Sequence, residues 1–171
     1  DAVTIQNEPL NRGNSMSLYM TWQEQRDFVK SALGPAFEKA GIKTKILVYD
    51  HNYNYDEDKA ENFDQKQYPL KIYEDADAAK YIDGAAFHAY GGDKEELLKI
   101  HNGRPDKNLY FTEMSIGLWG EGYSFAKDLM WNMREVCIGT INNYNKAVIM
   151  WNYMLDDKHG PDRPGGCDIC L

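Results

Sequence analysis

Short apolar runs alternate with longer amphipathic stretches along the chain. The apolar runs predict five strands, at residues 3–7, 45–49, 84–89, 109–112 and 147–151. Helical periodicity between them predicts helices at residues 22–40, 74–81, 94–100 and 125–138. Strands that alternate with helices in this way are typical of a parallel sheet with right-handed crossovers.

Glycine, proline and polar residues mark where these elements should bend or end. Gly34-Pro35 predicts a kink or restart in the first helix, and Gly41 its end. Gly139 is expected to end the last helix. The polar stretch over residues 50–69 is long for a connection, which predicts a lid or binding loop.

Polar side chains stand at the end of every predicted strand, where an open doubly wound sheet would usually carry a glycine-rich turn. They are Asn7-Glu8, Asp50-His51-Asn52, His88 with Tyr90, Glu113, and Trp151-Asn152. This pattern is typical of the rim of a (β/α)₈ TIM barrel, which needs about 250 residues. The 171 residues therefore predict a partial barrel covering about strands 4 to 8, as one segment of a single catalytic domain.

Two of these strand-end residues, Glu8 and Glu113, are carboxylates. A pair of carboxyl groups on either side of one glycosidic bond is the working part of a glycosidase, and it needs no cofactor. The alternative is that they are two unrelated surface acids.

Composition limits the classes of partner. The chain has 27 acidic and 19 basic residues and a net charge of −8, which argues against nucleic acid and is compatible with a neutral substrate. Its 12 tyrosines and 4 tryptophans suit core packing, and aromatic faces also stack on sugar rings. No apolar run approaches the roughly 20 residues of a transmembrane helix.

Five segments, in order, resemble glycoside hydrolase family 30. They are Asn7-Glu8-Pro9, residues 86–92, Phe111-Thr112-Glu113, Met150-Trp151-Asn152 and the tail over 160–170. The tail resembles bacterial members of the branch that contains β-1,6-glucanases and glucosylceramidase-like enzymes. The resemblance implies a retaining β-glycosidase that hydrolyses β-glucosidic bonds, in β-1,6-glucan or a glucosylceramide-like substrate, by double displacement with two glutamates. It also implies that the family's first three strands and companion β-sandwich domain lie outside this chain.

The resemblance assigns the catalytic roles. Glu8 would be the acid/base and Glu113 the nucleophile. We expect partial desolvation and the negative charge of Glu113 to keep a proton on Glu8.

Further residues are expected to bind the sugar. Asn7 would contact the 2-hydroxyl, Tyr90 would orient Glu113, and Trp151 would form a stacking floor. The other expected contacts are His51, His88, Trp119 and Asn152. For Asn7, His88, Tyr90 and Trp151, a purely structural role remains the alternative.

The cysteines and the acidic loop are the candidates for other chemistry. Cys167 and Cys170 form a C-x-x-C pair without a second pair, which favours a local disulfide or two free thiols over zinc. Cys137 is expected to be a buried thiol.

The acidic loop matches five calcium-loop positions, at Asp50, Asn52, Asn54, Asp58 and Glu61. Tyr55 replaces the required glycine, so we favour a solvated acidic loop and no metal.

Two alternatives to the β-glucosidase hypothesis remain. One is a related hydrolase of another β-linked sugar, such as xylan, a galactoside or a fucoside. The other is a non-catalytic, glycan-binding barrel fragment. A bacterial protein of this type is expected to be secreted, periplasmic or at the cell surface.

Overall fold

Five parallel strands form one sheet in which each strand pairs with the next one along the chain. In this computed structural model, which describes residues 1–13, 18–54, 56–116 and 122–151, they are β1 (Ala2–Thr4), β2 (Lys45–Asn52), β3 (Ile82–His88), β4 (Asn108–Glu113) and β5 (Asn145–Val148). The strand order never reverses, as in a barrel and unlike a doubly wound sheet. The predicted partial barrel is therefore confirmed.

Seven α-helical segments connect or follow the strands in the described part of the chain. They are α1 (Trp22–Phe28), α2 (Gly34–Ala40), α3 (Tyr68–Tyr73), α4 (Ala76–Ala79), α5 (Glu95–Gly103), α6 (Phe125–Trp131) and α7 (Gly139–Ile141). A capping box between Thr21 and Glu24 starts α1, and Gly41 ends α2 in the left-handed region at φ 66°. None of the helices in the described ranges is long and apolar enough to cross a membrane.

Two π-helical turns precede glycines in the helices. A π-helical turn, Val29–Leu33, joins α1 to α2 in front of Gly34-Pro35. A Cβ on Gly34 would overlap the ring of Tyr81, so glycine permits the contact between this helix and the turn before β3. The prediction that Gly139 ends the last helix is wrong, because a second π-helical turn, Asn132–Ile138, carries the helix on into α7.

The polar stretch over residues 50–69 is more ordered than a plain loop. β2 extends to Asn52, and two 3₁₀ helices, Asp56–Asp58 and Ala60–Gln65, lead into α3. The helix predicted over residues 74–81 is instead the pair α3 and α4.

The core lies where the sheet packs against its helices. Tyr49, Phe87 and Phe111 from three neighbouring strands are buried there. The ring of Tyr53 packs over Phe87 and Phe111, at centroid distances of 6.3 and 6.5 Å. This packing fixes β2, β3 and β4 relative to one another, and so fixes the positions of their carboxyl ends.

Candidate active site

The carboxyl ends of four strands bring polar side chains to one place. A carboxylate oxygen of Glu8, a ring nitrogen of His88 and a carboxylate oxygen of Glu113 all lie within 4.8 Å of one another. Beside them is an open cavity of about 270 Å³. Its polar lining residues are Thr4, Asn7, Asp50, His88, Thr112 and Glu113. Strands far apart in sequence thus form one cleft, as the strand-end pattern predicts.

An irregularity in β2 places Asp50 in this site. Tyr49 and Asp50 both have positive φ, 75° and 59°, and the register with β3 shifts between Tyr49 and His51. The backbone N–H of Tyr49 donates to Gln25 Oε1 at 2.8 Å, and the backbone N–H of Glu8 donates to the Asp50 carbonyl at 2.9 Å. The bulge therefore ties β2 both to α1 and to Glu8 in the segment that follows β1.

His88 lies between two carboxylates. Its Nδ1 is 3.2 Å from Glu8 Oε1, and its Nε2 is 3.1 Å from Asp50 Oδ1. Burial disfavours a charged ring, but the hydrogen bonds to Asp50 and Glu8 outweigh it and raise the pKa of His88 to about 9. Both ring nitrogens therefore carry protons at neutral pH, and His88 is a buried cation.

The charge of His88 decides the ionisation of Glu8. Burial raises the pKa of Glu8, but hydrogen bonds from His88 and from Asn11 Nδ2 (2.8 Å) bring it below its usual value. The expectation that Glu8 keeps a proton is therefore wrong for the chain at rest. The physical reason is that a cationic histidine contacts the Glu8 carboxylate directly and stabilises its ionised form.

Glu113 has the opposite shift. Burial raises its pKa above the usual value, although the positive charge of His88 and a hydrogen bond from Tyr90 Oη, at 3.1 Å, work against this. The Tyr90 hydroxyl is thus in position to orient Glu113, as expected from the sequence.

His51 is fully buried, with 0% of its side chain exposed. Its Nδ1 lies 4.0 Å from Glu8 Oε1, and its Nε2 lies 3.0 Å from Asp56 Oδ2. Asp56 also pairs with Lys59. The prediction that His51 contacts the sugar is wrong, because its side chain lies behind Glu8 and has no surface in the cleft.

Asn7 and Trp151 are the remaining predicted sugar contacts within the described residues. Asn7 is exposed and lines the cavity. Trp151 has an exposed side chain (51%), and its backbone N–H donates to Met114 O; Ile149, not Trp151, lines this cavity. Trp119, Asn152, Cys167 and Cys170 lie outside the described residues. Cys137 is a partly buried thiol.

The calcium-loop alternative does not match the geometry. Asp50 accepts from His88, the Asn52 amide bonds Asp56 and the backbone of Tyr90, and Asp58 pairs with Lys66. Each of these three side chains thus already has a protein partner.

Three side chains offer metal-ligand atoms in one place: Glu8, His88 and Glu113. An imidazolium has no lone pair to give a metal ion, because both of its nitrogens carry protons. In the charge state described above, this cluster is suited to proton transfer.

No pattern in the sequence indicates two supporting residues of the site. Gln25 is a buried polar residue on a helix, and Asn11 lies in an ordinary loop. The positive φ of Tyr49 and Asp50 also has no local sequence signature, because neither residue is a glycine.

A family model described as the glycosyl hydrolase family 30 TIM-barrel domain matches residues 1–165. The chain belongs to glycosyl hydrolase family 30. The resemblance inferred from the strand-end motifs is therefore confirmed.

Among solved structures, the endo-β1,6-glucanase BT3312 is similar to this family 30 chain, with 61% identity and a TM-score of 0.90 over 99% of the chain and 36% of that structure. An endo-1,6-β-D-glucanase of Neurospora crassa is 33% identical over 99% of the chain and 33% of its own length. The endo-1,6-β-D-glucanase BGN16.3 of Trichoderma harzianum is 31% identical over 99% of the chain and 31% of its own length. The chain thus spans about a third of the length of these relatives.

Proposed function

We propose that the full-length protein is a retaining glycosidase that hydrolyses β-1,6-linked glucan by double displacement. The observation that carries the proposal is the approach of Glu8 and Glu113, whose carboxylate oxygens lie within 4.8 Å of each other. Retaining enzymes keep their two carboxyl groups about 5–5.5 Å apart, whereas inverting enzymes leave about 6.5–9.5 Å for a water molecule.

In this mechanism Glu113 attacks the sugar carbon and Glu8 protonates the leaving oxygen. Once Glu113 is esterified, its charge is gone, and Glu8 acts as the base that activates water. The Tyr90 hydroxyl fixes the orientation of Glu113 during attack. Asn7, at the cavity wall, is suited to the sugar 2-hydroxyl, a hydrogen bond that strengthens in the transition state.

The substrate class rests on the relatives and on charge. Three similar proteins are named as β-1,6-glucanases. A net charge of −8 suits a neutral polysaccharide and disfavours an acidic one. A polymer of this kind does not cross membranes, so we propose that the protein acts outside the cytoplasm. We also propose that the full-length protein supplies the other strands of the barrel.

The test is a screen of the full-length protein against β-1,6-glucan, xylan, and aryl β-glucosides, β-galactosides and β-fucosides. We expect hydrolysis of β-1,6-glucan with a β-configured first product by NMR. Glu113→Gln should abolish it, and Glu95→Gln, the same change at an exposed position on α5, should not.

Three outcomes would contradict the proposal. An α-configured first product would show inversion, and activity confined to xylan, galactosides or fucosides would change the substrate. Binding of glycan with no turnover by the unmodified protein would favour the non-catalytic alternative.

A further inference from the structure

The backbone at Tyr49 and Asp50 departs from strand geometry at a buried position. Two consecutive non-glycine residues with φ of 75° and 59° are rare in a strand, because the Cβ crowds the backbone in the left-handed region. Such conformations persist only where their surroundings hold them, and they cluster at functional sites. Strain of this kind suggests that the bulge serves to position a side chain of the site.

Contacts on the helix side hold the bulge in place. The Tyr49 N–H donates to Gln25 Oε1, and Gln25 is fully buried. The Tyr49 hydroxyl lies 2.7 Å from the carbonyls of both Asn52 and Tyr53, the residues that follow the bulge. Tyr49 therefore holds the bulge through both its backbone N–H and its side-chain hydroxyl.

Contacts on the barrel side show what the bulge positions. Asp50 Oδ1 accepts from His88 Nε2 at 3.1 Å and from Thr112 Oγ1 at 2.7 Å. The Asp50 carboxylate thus joins β2 to β3 and β4. The backbone carbonyl of Asp50 accepts from the N–H of Glu8. Asp50 is buried, so its interaction with His88 is little screened by solvent.

We propose that Asp50 is a positioning residue that keeps His88 doubly protonated, so that His88 stores the proton which Glu8 delivers to the leaving oxygen. The inference rests on the proposed glycosidase function and assigns two residues to its proton supply. It explains how Glu8 can act as an acid although it is ionised at rest, because the missing proton is 3.2 Å away on His88 Nδ1.

The proton balance closes over one turnover. In the first step the glycosidic C–O bond breaks, Glu113 bonds to the sugar carbon, and the leaving oxygen takes a proton from Glu8, which receives one from His88 Nδ1. His88 is then neutral and Glu8 is again a carboxylate. In the second step water attacks the sugar carbon, the bond to Glu113 breaks, and the proton of water returns through Glu8 to His88.

Charged and titratable groups surround His88 from each neighbouring element. They are Glu8 after β1, Asp50 on β2, Tyr90 after β3 and Glu113 on β4, with His51 facing Glu8 from behind. Glu8 and Glu113 take part in the bond changes, so their substitution would stop the reaction itself. Asp50 is the carboxylate whose charge can be removed without removing a reacting group.

The experiment is the pH dependence of kcat/KM in the full-length protein, with an aryl β-glucoside that has a poor leaving group. Asp50→Asn keeps the shape of the side chain and removes its charge. We expect the alkaline limb to move to lower pH by about 1–3 units, the usual effect of losing an opposite charge at contact distance. Asp83→Asn, which removes the same charge at the amino end of β3, should leave the limb in place. An unchanged limb in Asp50→Asn overturns the inference.

A direct measurement covers the case in which Asp50→Asn does not fold. The ring ¹⁵N signals of labelled histidine, assigned with His88→Gln, should show both nitrogens of His88 protonated at pH 8 in the unmodified protein. A neutral His88 at pH 8 in an active protein overturns the inference alone. A cationic His88 in a protein that hydrolyses no β-glycoside overturns the proposed function instead.

Discussion

Glu8 and Glu113 differ in pKa because their hydrogen-bond partners differ. Glu8 accepts from a cationic histidine and from Asn11, whereas Glu113 accepts from the neutral hydroxyl of Tyr90. The pKa of Glu8 is therefore lowered and that of Glu113 raised, the opposite of the order expected for an acid and a nucleophile. The sequence indicated both carboxylates through their place at strand ends, but it did not indicate that His88 and Asn11 would both bond Glu8.

The two glutamates should respond differently to the leaving group. Glu113→Gln should lose nearly all turnover on every substrate, because no ester can form. Glu8→Gln should retain turnover on aryl glycosides whose leaving group needs no proton, because only the acid step of glycosylation is damaged. The measurement is kcat/KM across a series of aryl β-glucosides. Azide should partly rescue Glu8→Ala and give a β-glycosyl azide, and an α-azide would mean that the roles are reversed.

Tyr90→Phe tests the orientation of the nucleophile. The hydroxyl favours the ionised form of Glu113, so its removal should raise the pKa of Glu113 and move the acid limb of kcat/KM to higher pH. A hydrogen bond to a charged group contributes about 1.5–3 kcal/mol, which predicts a fall in kcat of about ten- to hundredfold.

The matched control is Tyr110→Phe, which removes a hydroxyl bonded to Asp83 at the opposite end of the sheet. Equal pH profiles for the two variants would show that the Tyr90 hydroxyl does not act on Glu113.

Among the secondary-structure elements, periodicity predicted all five strands but not where each of them begins and ends. It works for β2 and β3 because nearly all of their residues are buried on both faces of the sheet, and for β4 because Leu109 and Phe111 are buried on one face. It could not show the bulge in β2, since the side chains of Tyr49 and Asp50 do not demand positive φ. Nor could it show the π-helical turns before Gly34 and Gly139, where packing against other elements sets the path of the helix.

The contact between α1 and β2 depends on the hydrogen bond between Gln25 and the Tyr49 N–H. Gln25→Met removes the acceptor of the Tyr49 N–H and leaves a buried donor without a partner, at a cost of about 1–3 kcal/mol. We expect a lower melting temperature and, because the bulge positions Asp50, a lower alkaline limit of activity. Gln23→Met on the same helix, where the amide bonds an exposed Asp64, is the control. A fall in melting temperature with an unchanged pH profile would show that Gln25 supports the fold alone.

At the scale of the whole molecule, the sequence predicted the barrel because the polar strand ends agree with the order of elements. That order places every strand end on one rim, and the structure brings Glu8, His88 and Glu113 together there. Burial of single polar residues was not predictable in the same way. His51 and Glu57 lie in a polar segment that suggests a solvated loop, yet both are buried, His51 on β2 and Glu57 in the first 3₁₀ helix.

Glu57 makes the stability of the fold depend on pH. Burial raises its pKa to about 7, with the N–H of Gln67 opposing the shift and Glu96 adding to it. An unfolded chain releases this proton near pH 4.5, so between pH 4.5 and about 7 the folded state binds more protons. The contribution of Glu57 to stability should therefore fall as pH rises through this window and level off above it. At about 1.4 kcal/mol per unit, the loss is on the order of 3 kcal/mol.

Glu57→Gln should remove this loss, because a neutral amide has no proton to release. The measurement is the melting temperature of the full-length protein from pH 5 to pH 8, compared with that of Glu57→Gln. We expect the difference between them to move in favour of the variant as pH rises, with most of the change below about pH 7. Glu61→Gln, on an exposed position of the same segment, should follow the unmodified protein at every pH. A constant difference between Glu57→Gln and the unmodified protein would show that Glu57 stays ionised in the fold.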